Sequence, residues 1–284
     1  MITYDIRNWS GVLLRINGSV LPKLLPRLLA IVLVSCLALY IHHYHAFRFP
    51  PVVHTMVGVA LGLLLVFRTN ASYDRYWEGR KLLGMMVNRV RDLCRQSGAM
   101  DFGPDLQRQL CACIGLIRLH LRDERDLAGI NLTAAERSAL EPIKNRHIVF
   151  LGWITRRVQT AHKAGTIDPM TYLAMDTNFT SLMDQLGACE RIVRTPVPFA
   201  YAQHIKGFLF LFCYSVPFVL VDQTVNFTPL AAAAIAYALF GIEEIGVEIE
   251  DPFGDDPNDL PLDAIEKNLI AATSEMVTEP NGPV

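Results

Sequence analysis

The sequence has almost no strand signal and no internal repeat with a period of roughly 20–50 residues, so its periodicity leaves a helical fold. It has no nucleophile elbow, no HExxH pair and no phosphate-binding glycine loop, and nothing else in it spells an enzyme. It has no charge excess: 26 Lys and Arg stand against 28 Asp and Glu, and a net charge of −2 predicts no nucleic-acid partner. The six cysteines (Cys36, Cys94, Cys111, Cys113, Cys189 and Cys213) have no zinc-ligand spacing. Cys111 and Cys113 are two apart, which turns them to different sides of a helix. The six read as reduced, mostly buried thiols facing a reducing compartment. A cleavable signal peptide is not expected, because the opening residues are polar and carry Asp5, Arg7 and Arg15.

The most informative absence is local. Residues 49–67, nineteen in all, contain no Asp, Glu, Lys or Arg, close to the roughly twenty that a helix needs to cross hydrocarbon. Gly58 and Gly62 share one face of that helix and would let another helix approach. Val59, Leu63 and Phe67 repeat at i, i+4 and i+8 and form an adjacent line of bulky apolar groups. Arg68, Asp74, Arg75, Glu78 and Arg80 follow, with no Gly or Pro before Gly79. This pattern predicts a helix that leaves the bilayer and stays helical in water. The plainer alternative is a membrane anchor with a charged flank.

A chain of 284 residues that is 51% hydrophobic and 19% charged needs a membrane part and a substantial aqueous part. Residues 1–27 form an interfacial or cytosolic segment, amphipathic up to Gly18, with Pro22 and Pro26 beside Lys23 and Arg27. Residues 28–79 form a first membrane hairpin. Its first span starts over 28–41, His42, His43 and His45 follow, and Pro50-Pro51 opens the second span. The near side carries Arg7, Arg15, Lys23 and Arg27 and the hairpin loop only Arg48, so the N-terminus is placed in the cytoplasm. Residues 80–205 read as a helical cytosolic domain. Apolar periodicity runs over 80–97 and 106–121. Thr133 and Glu136 make a capping box, a helix over 147–163 is closed by Gly165, and a long helix covers 168–193. Residues 206–247 form a second hairpin, with Pro217 inside its first span. Residues 248–284 form a cytosolic C-terminal segment with an acidic loop. The residues alone thus predict an all-α membrane protein with four transmembrane helices in two hairpins around a large helical cytosolic insert, both termini cytoplasmic.

Three stretches then carry a resemblance: FRTNASYDRYWEGR, GACERIVRTPVPFAYAQH and EDPFGDDPNDLPLD, in this order and around a helical insert. The chain resembles the bestrophin family and is similar to its bacterial branch. The resemblance covers nearly the whole chain. It implies a homopentameric ion channel of the bacterial inner membrane, with one central pore, a hydrophobic neck and a cytosolic aperture, lipid around it and monovalent ions through it. The neck falls on Val59, Leu63 and Phe67, three stacked apolar rings that can gate by dewetting. The family's neck is bulkier, with Ile and Phe, and Val59 and Leu63 depart from it. The aperture falls at about Thr177. The resemblance implies no required cofactor. In animal members the acidic loop forms a calcium clasp. The matching carboxylates here are Asp256 and Asp259, and the backbone ligands fall near Trp9, Glu248 and Asp251. Pro257 and Asn258 break the acidic run, so the alternatives are Ca²⁺ or another divalent cation at this loop, or a solvated acidic turn.

Animal members pass anions, whereas bacterial relatives resemble sodium-permeable channels. No ring of Lys or Arg falls at the neck, so a monovalent-cation channel is expected first and a chloride channel of the same fold second. A helical-bundle transporter or haem oxidoreductase is the alternative from another class. His42, His43, His45 and His54 sit at the outer edge of the first hairpin with no matching His in the later spans, which argues against haem ligation. Glu243 and Glu244, adjacent on a helix, are expected to diverge as interfacial charges.

Overall fold

The structure is a computed structural model, and it describes residues 2, 5, 7–45, 49–98, 100 and 102–278. Arg48, the charge on which the loop assignment turns, lies outside the described residues. Among the described residues the regular structure is helical throughout, with no strand. The helices are α1 (Trp9–Leu13), α2 (Leu21–Tyr44), α3 (Pro51–Ser97), α4 (Gly103–Leu121), α5 (Ala134–Leu140), α6 (Arg146–Lys163), α7 (Pro169–Arg194), α8 (Phe199–Thr224), α9 (Thr228–Glu248) and α10 (Leu262–Thr278). They fall into two compact units. One contains residues 1–77, 195–252 and 256–259, and the other residues 78–194, 253–255 and 260–284. The 47-residue helix α3 passes from the first to the second after Trp77 without a break.

In the first unit α2 packs on α8 and α9, and α8 and α9 pack on each other. The core is almost purely aliphatic and aromatic: Leu24, Ile31, Leu61, Leu65, Leu209, Cys213, Ala236 and Phe240 are all buried. The helix α2 begins seven residues before the expected span. Pro22 falls in its first turn, where a missing N–H costs nothing, and Pro26 removes only one internal hydrogen bond. Among the described residues, three stretches are long and apolar enough to cross a membrane: α2, α3 and Phe199–Glu248. The last is α8 and α9 joined by a short 3-10 turn (Val225–Phe227), where Val225 takes φ +42°. Pro217 lies inside α8, which continues through it.

The two glycines of α3 part company. A Cβ on Gly58 would come within 3.0 Å of the Phe212 ring on α8, so the close approach is made within the chain, whereas the space beside Gly62 is open. Glu243 and Glu244 do not diverge as interfacial charges. Both are buried, and the Arg27 guanidinium, at 3.0 Å from Glu244 and 3.9 Å from Glu243, offsets the cost of burying them. Lys206 adds a second cation to Glu243 at 3.7 Å.

In the second unit α4 is central and packs on α6, α7 and α10. Its residues from Leu110 to Ile117 are buried in an unbroken run. The capping box forms as the spacing predicts: Thr133 Oγ1 accepts from Glu136 N, and Glu136 accepts from Thr133 N. Gly165, at φ +77°, follows the end of α6, a conformation that glycine adopts without strain. The helix α10 was not expected from the acidic C-terminal segment. It packs Leu262 and Leu269 against this unit and places Thr273 beside Gln107 and Cys111. Cys113 and Cys189 are free thiols that burial pushes up to about 12, so they stay protonated and inert.

Candidate pore-facing line and acidic loop

The apolar part of α3 has two sides. Leu61 and Leu65 are fully buried, whereas Val59 is 71% exposed and Leu63 and Phe67 are each 56% exposed. Leu64 is half-buried and packs against the aliphatic core. The line read from the sequence is therefore the face that the chain leaves uncovered, and Val52 and Met56 extend it. A row of large apolar groups this exposed calls for lipid or for another copy of the chain.

At the residue after Phe67 the surroundings change. Arg68 is 2% exposed, about 100° round the helix from Phe67 and four residues beyond Leu64. Its guanidinium donates to Glu250 at 2.5 Å and to Ser72 at 3.0 Å. A charge buried this deeply is tolerated only when paired and hydrogen-bonded. Arg75 donates to the carbonyls of Glu250 and Thr195, and Val197 N donates to the Glu250 carboxylate at 2.8 Å. The three sequence stretches that carried the resemblance thus meet around Arg68, Arg75 and Glu250.

That arrangement also divides the acidic run. Glu250 serves Arg68, and Asp255 pairs with Arg122 at 3.1 Å in the second unit. Asp259 is buried, and its carboxylate accepts from Asp256 N at 2.6 Å, closing the turn on itself. Burial pushes the Asp259 carboxyl up to about 6, helped by the neighbouring charges of Asp256, Asp251 and Glu248. Lys23 sits between Glu248 at 3.0 Å and Asp256 at 3.5 Å. The Asn258 amide donates to Glu248 and to the Gly18 carbonyl, which ties the loop to the N-terminal segment. Trp9, at the start of α1, is 81% exposed. Among the described residues, the loop brings no three carboxylates of one chain within ligand distance of a common point.

On α7, Thr177 is exposed and its hydroxyl donates to the Leu173 carbonyl at 2.8 Å. Asn178 beside it faces inward, accepts from Arg89 at 2.9 Å and donates to Gln96, which ties α7 to the aqueous half of α3. Of the first-hairpin histidines, His54 stacks on Phe212 at 4.1 Å and bonds Ser215 at 3.0 Å, a packing role within the helical bundle.

A helical chain with long apolar helices, one of them continuing far past its apolar half and carrying an uncovered apolar line, has the build of a helical membrane protein. The chain belongs to the bestrophin family: the model for the Bacterial/Fungal Bestrophin protein family matches residues 1–275. A Ralstonia nicotianae protein named a voltage-dependent anion channel-forming protein is 36% identical over 294 residues, covering 99% of this chain and 96% of that one. A Synechocystis protein of the same name is 36% identical over 286 residues, covering 96% and 93%. Among solved structures, a bacterial bestrophin homologue from Klebsiella pneumoniae superposes with a TM-score of 0.84 at 28% identity, covering 90% of this chain and 98% of its own. The cation preference expected from the lack of a basic ring finds no support in these relatives, whose names point to anions.

Proposed function

We propose that this chain forms a homopentameric channel for monovalent ions in the bacterial inner membrane, with α3 of each subunit facing the axis. The observation that carries the proposal is the uncovered line Val59, Leu63 and Phe67, set on the same helix that buries Leu61 and Leu65. Five copies would stack three apolar rings, a passage in which a permeating ion loses water and gains little in return. Thr177 would contribute a polar ring further along the pore. The four-span reading takes α8 and α9 as separate crossings, which returns both termini to the cytoplasm. Asp256 and Asp259 would hold a divalent cation with backbone carbonyls near Trp9, Glu248 and Asp251, with Lys23 in competition for the same carboxylates.

An apolar neck selects neither sign of charge. The names of the relatives favour anions, and chloride is the permeant ion we put first. The reversal potential of the purified protein in planar bilayers under asymmetric NaCl tests this directly. A potential near the chloride equilibrium value supports the proposal. One near the sodium value reinstates the cation reading, and no current from an assembled protein removes the channel reading altogether.

A further inference from the structure

We propose that His120, His147 and Glu190 form a binding site for one divalent transition-metal ion of the zinc type, in the second unit and unconnected with the acidic loop. The three residues come from three helices: His120 from the last turn of α4, His147 from the first turn of α6, and Glu190 from the C-terminal part of α7. Their ligand atoms all lie within 4.8 Å of one another, and they are the one such group among the described residues. The His120 and His147 rings stack with centroids 3.8 Å apart, so both imidazoles present an edge to the same carboxylate.

The distances suit a metal better than they suit a purely structural tie. His120 Nε2 lies 2.7 Å from Glu190 Oε1, a normal hydrogen bond. His147 Nε2 lies 3.6 Å from the same oxygen, too far for one. The His147 side chain is 1% exposed, and its Nε2 has no hydrogen-bond partner. Buried ring nitrogens are normally satisfied, so a structural cluster leaves this atom unexplained and a bound cation would satisfy it. Around tetrahedral zinc, with bonds of roughly 2.0–2.2 Å, adjacent ligand atoms stand about 3.3–3.6 Å apart. The His147–Glu190 separation is already close to that. The His120–Glu190 contact must open by less than 1 Å, which these partly exposed side chains can accommodate.

A cavity of about 440 Å³ borders the group and is lined by His120, His147, Glu124, Glu141 and Arg194 among others. It leaves room for water as a fourth ligand. Two imidazoles and one carboxylate select zinc-type ions over Ca²⁺ and Mg²⁺, which prefer all-oxygen sites. Arg194 is the resident competitor. Its guanidinium stands 3.6 Å from Glu190 Oε1, and with its side chain 67% exposed it can swing into solvent. The proposal does not depend on conduction or on its sign.

The test is equilibrium dialysis of the full-length, chelator-stripped protein in detergent against Zn²⁺, with metal counted per chain. One zinc per chain is expected in the wild type and in the Asp256→Ala/Asp259→Ala variant. Groups that only hydrogen-bond to a metal's ligands are worth roughly 10–100-fold in metal affinity, so Glu190→Gln and His120→Gln, at the ligands themselves, should each weaken binding by at least about tenfold. Arg194→Ala, a change at an exposed side chain, should tighten it. Co²⁺ in place of zinc should give a d–d absorption band without thiolate charge transfer, a readout that needs no variant to fold. The proposal is overturned if no zinc binds, if Glu190→Gln and His120→Gln bind as the wild type does, if the acidic-loop variant loses the metal, if Arg194→Ala weakens binding, or if the cobalt spectrum shows thiolate ligation.

Discussion

At Leu63 and Leu64 two adjacent residues of one type have opposite surroundings. Leu63 is 56% exposed on the uncovered line, and Leu64 packs on the aliphatic core. About 100° of helical rotation separates them. Leu63→Ala removes three carbons per subunit from the middle ring of the proposed neck. It should raise single-channel current or open probability and leave the reversal potential in place. Leu64→Ala should instead lower the melting temperature, at a cost of about 1–2 kcal/mol for a half-buried leucine, with conductance little changed. If Leu64→Ala opens the channel and Leu63→Ala does not, the pore-facing assignment is off by one residue. Arg68 shows the same geometry in reverse. Four residues beyond Leu64 on the protein-facing side, a charge that would be costly at the neck is held by Glu250 and Ser72.

At the scale of the element, α5 and α4 are joined by a carboxylate whose state can be titrated. Burial alone would raise the Glu136 carboxyl, yet hydrogen bonds from Arg108, Gln109 and Thr133 N hold it down at about 2. The folded chain therefore binds this proton less readily than the unfolded chain. The stabilisation is fully present above the ordinary value of 4.5 and is lost as the pH falls from there towards 2. Glu136→Gln should lower stability by about 1–2 kcal/mol at neutral pH, a figure discounted for partial exposure. The gap from wild type should close as melting is followed down through that range. A gap that is constant with pH would mean that the carboxylate's charge plays no part. The acidic loop gives the second element-scale test. If Asp256 and Asp259 hold a cation, Ca²⁺ should raise the melting temperature of the wild type and leave that of Asp256→Ala/Asp259→Ala unchanged. Equal melting of the wild type with Ca²⁺ and with chelator would reduce the loop to the closed turn that Asp256 N and Asp259 already make.

For the whole molecule, the uncovered face of α3 is the central fact. Val52, Met56, Val59, Leu63, Val66 and Phe67 are all more than half exposed on one chain, an apolar strip that water would not tolerate. Lipid can cover part of it, and in the proposed pentamer a ring of copies would cover the rest and enclose an axis. Multi-angle light scattering in detergent should therefore give a protein mass near five times 31.8 kDa. A monomeric mass would leave three exposed side chains in place of three rings and would remove the basis for a pore.

Much of this architecture is local and was legible in the residues. Helix periods, the Thr133–Glu136 cap, the stop at Gly165 and the charge-free window before Arg68 depend on neighbours a few positions away, and each appears as its pattern requires. The line Val59, Leu63 and Phe67 was readable for the same reason, since spacing of four along a helix sets a shared face. Tertiary contacts settled what spacing leaves open. Glu243 and Glu244 look like surface charges in the sequence, and Arg27, more than 200 positions away, makes them a buried cluster. The helix α10 carries Leu262, Ile265 and Leu269 at helical spacing, a local signal that the acidic, proline-rich stretch before it masked. His120, His147 and Glu190 have no motif spacing at all. Three helix ends must converge before two rings stack on one carboxylate, and ligand groups set by convergence rather than by spacing leave no trace along the chain.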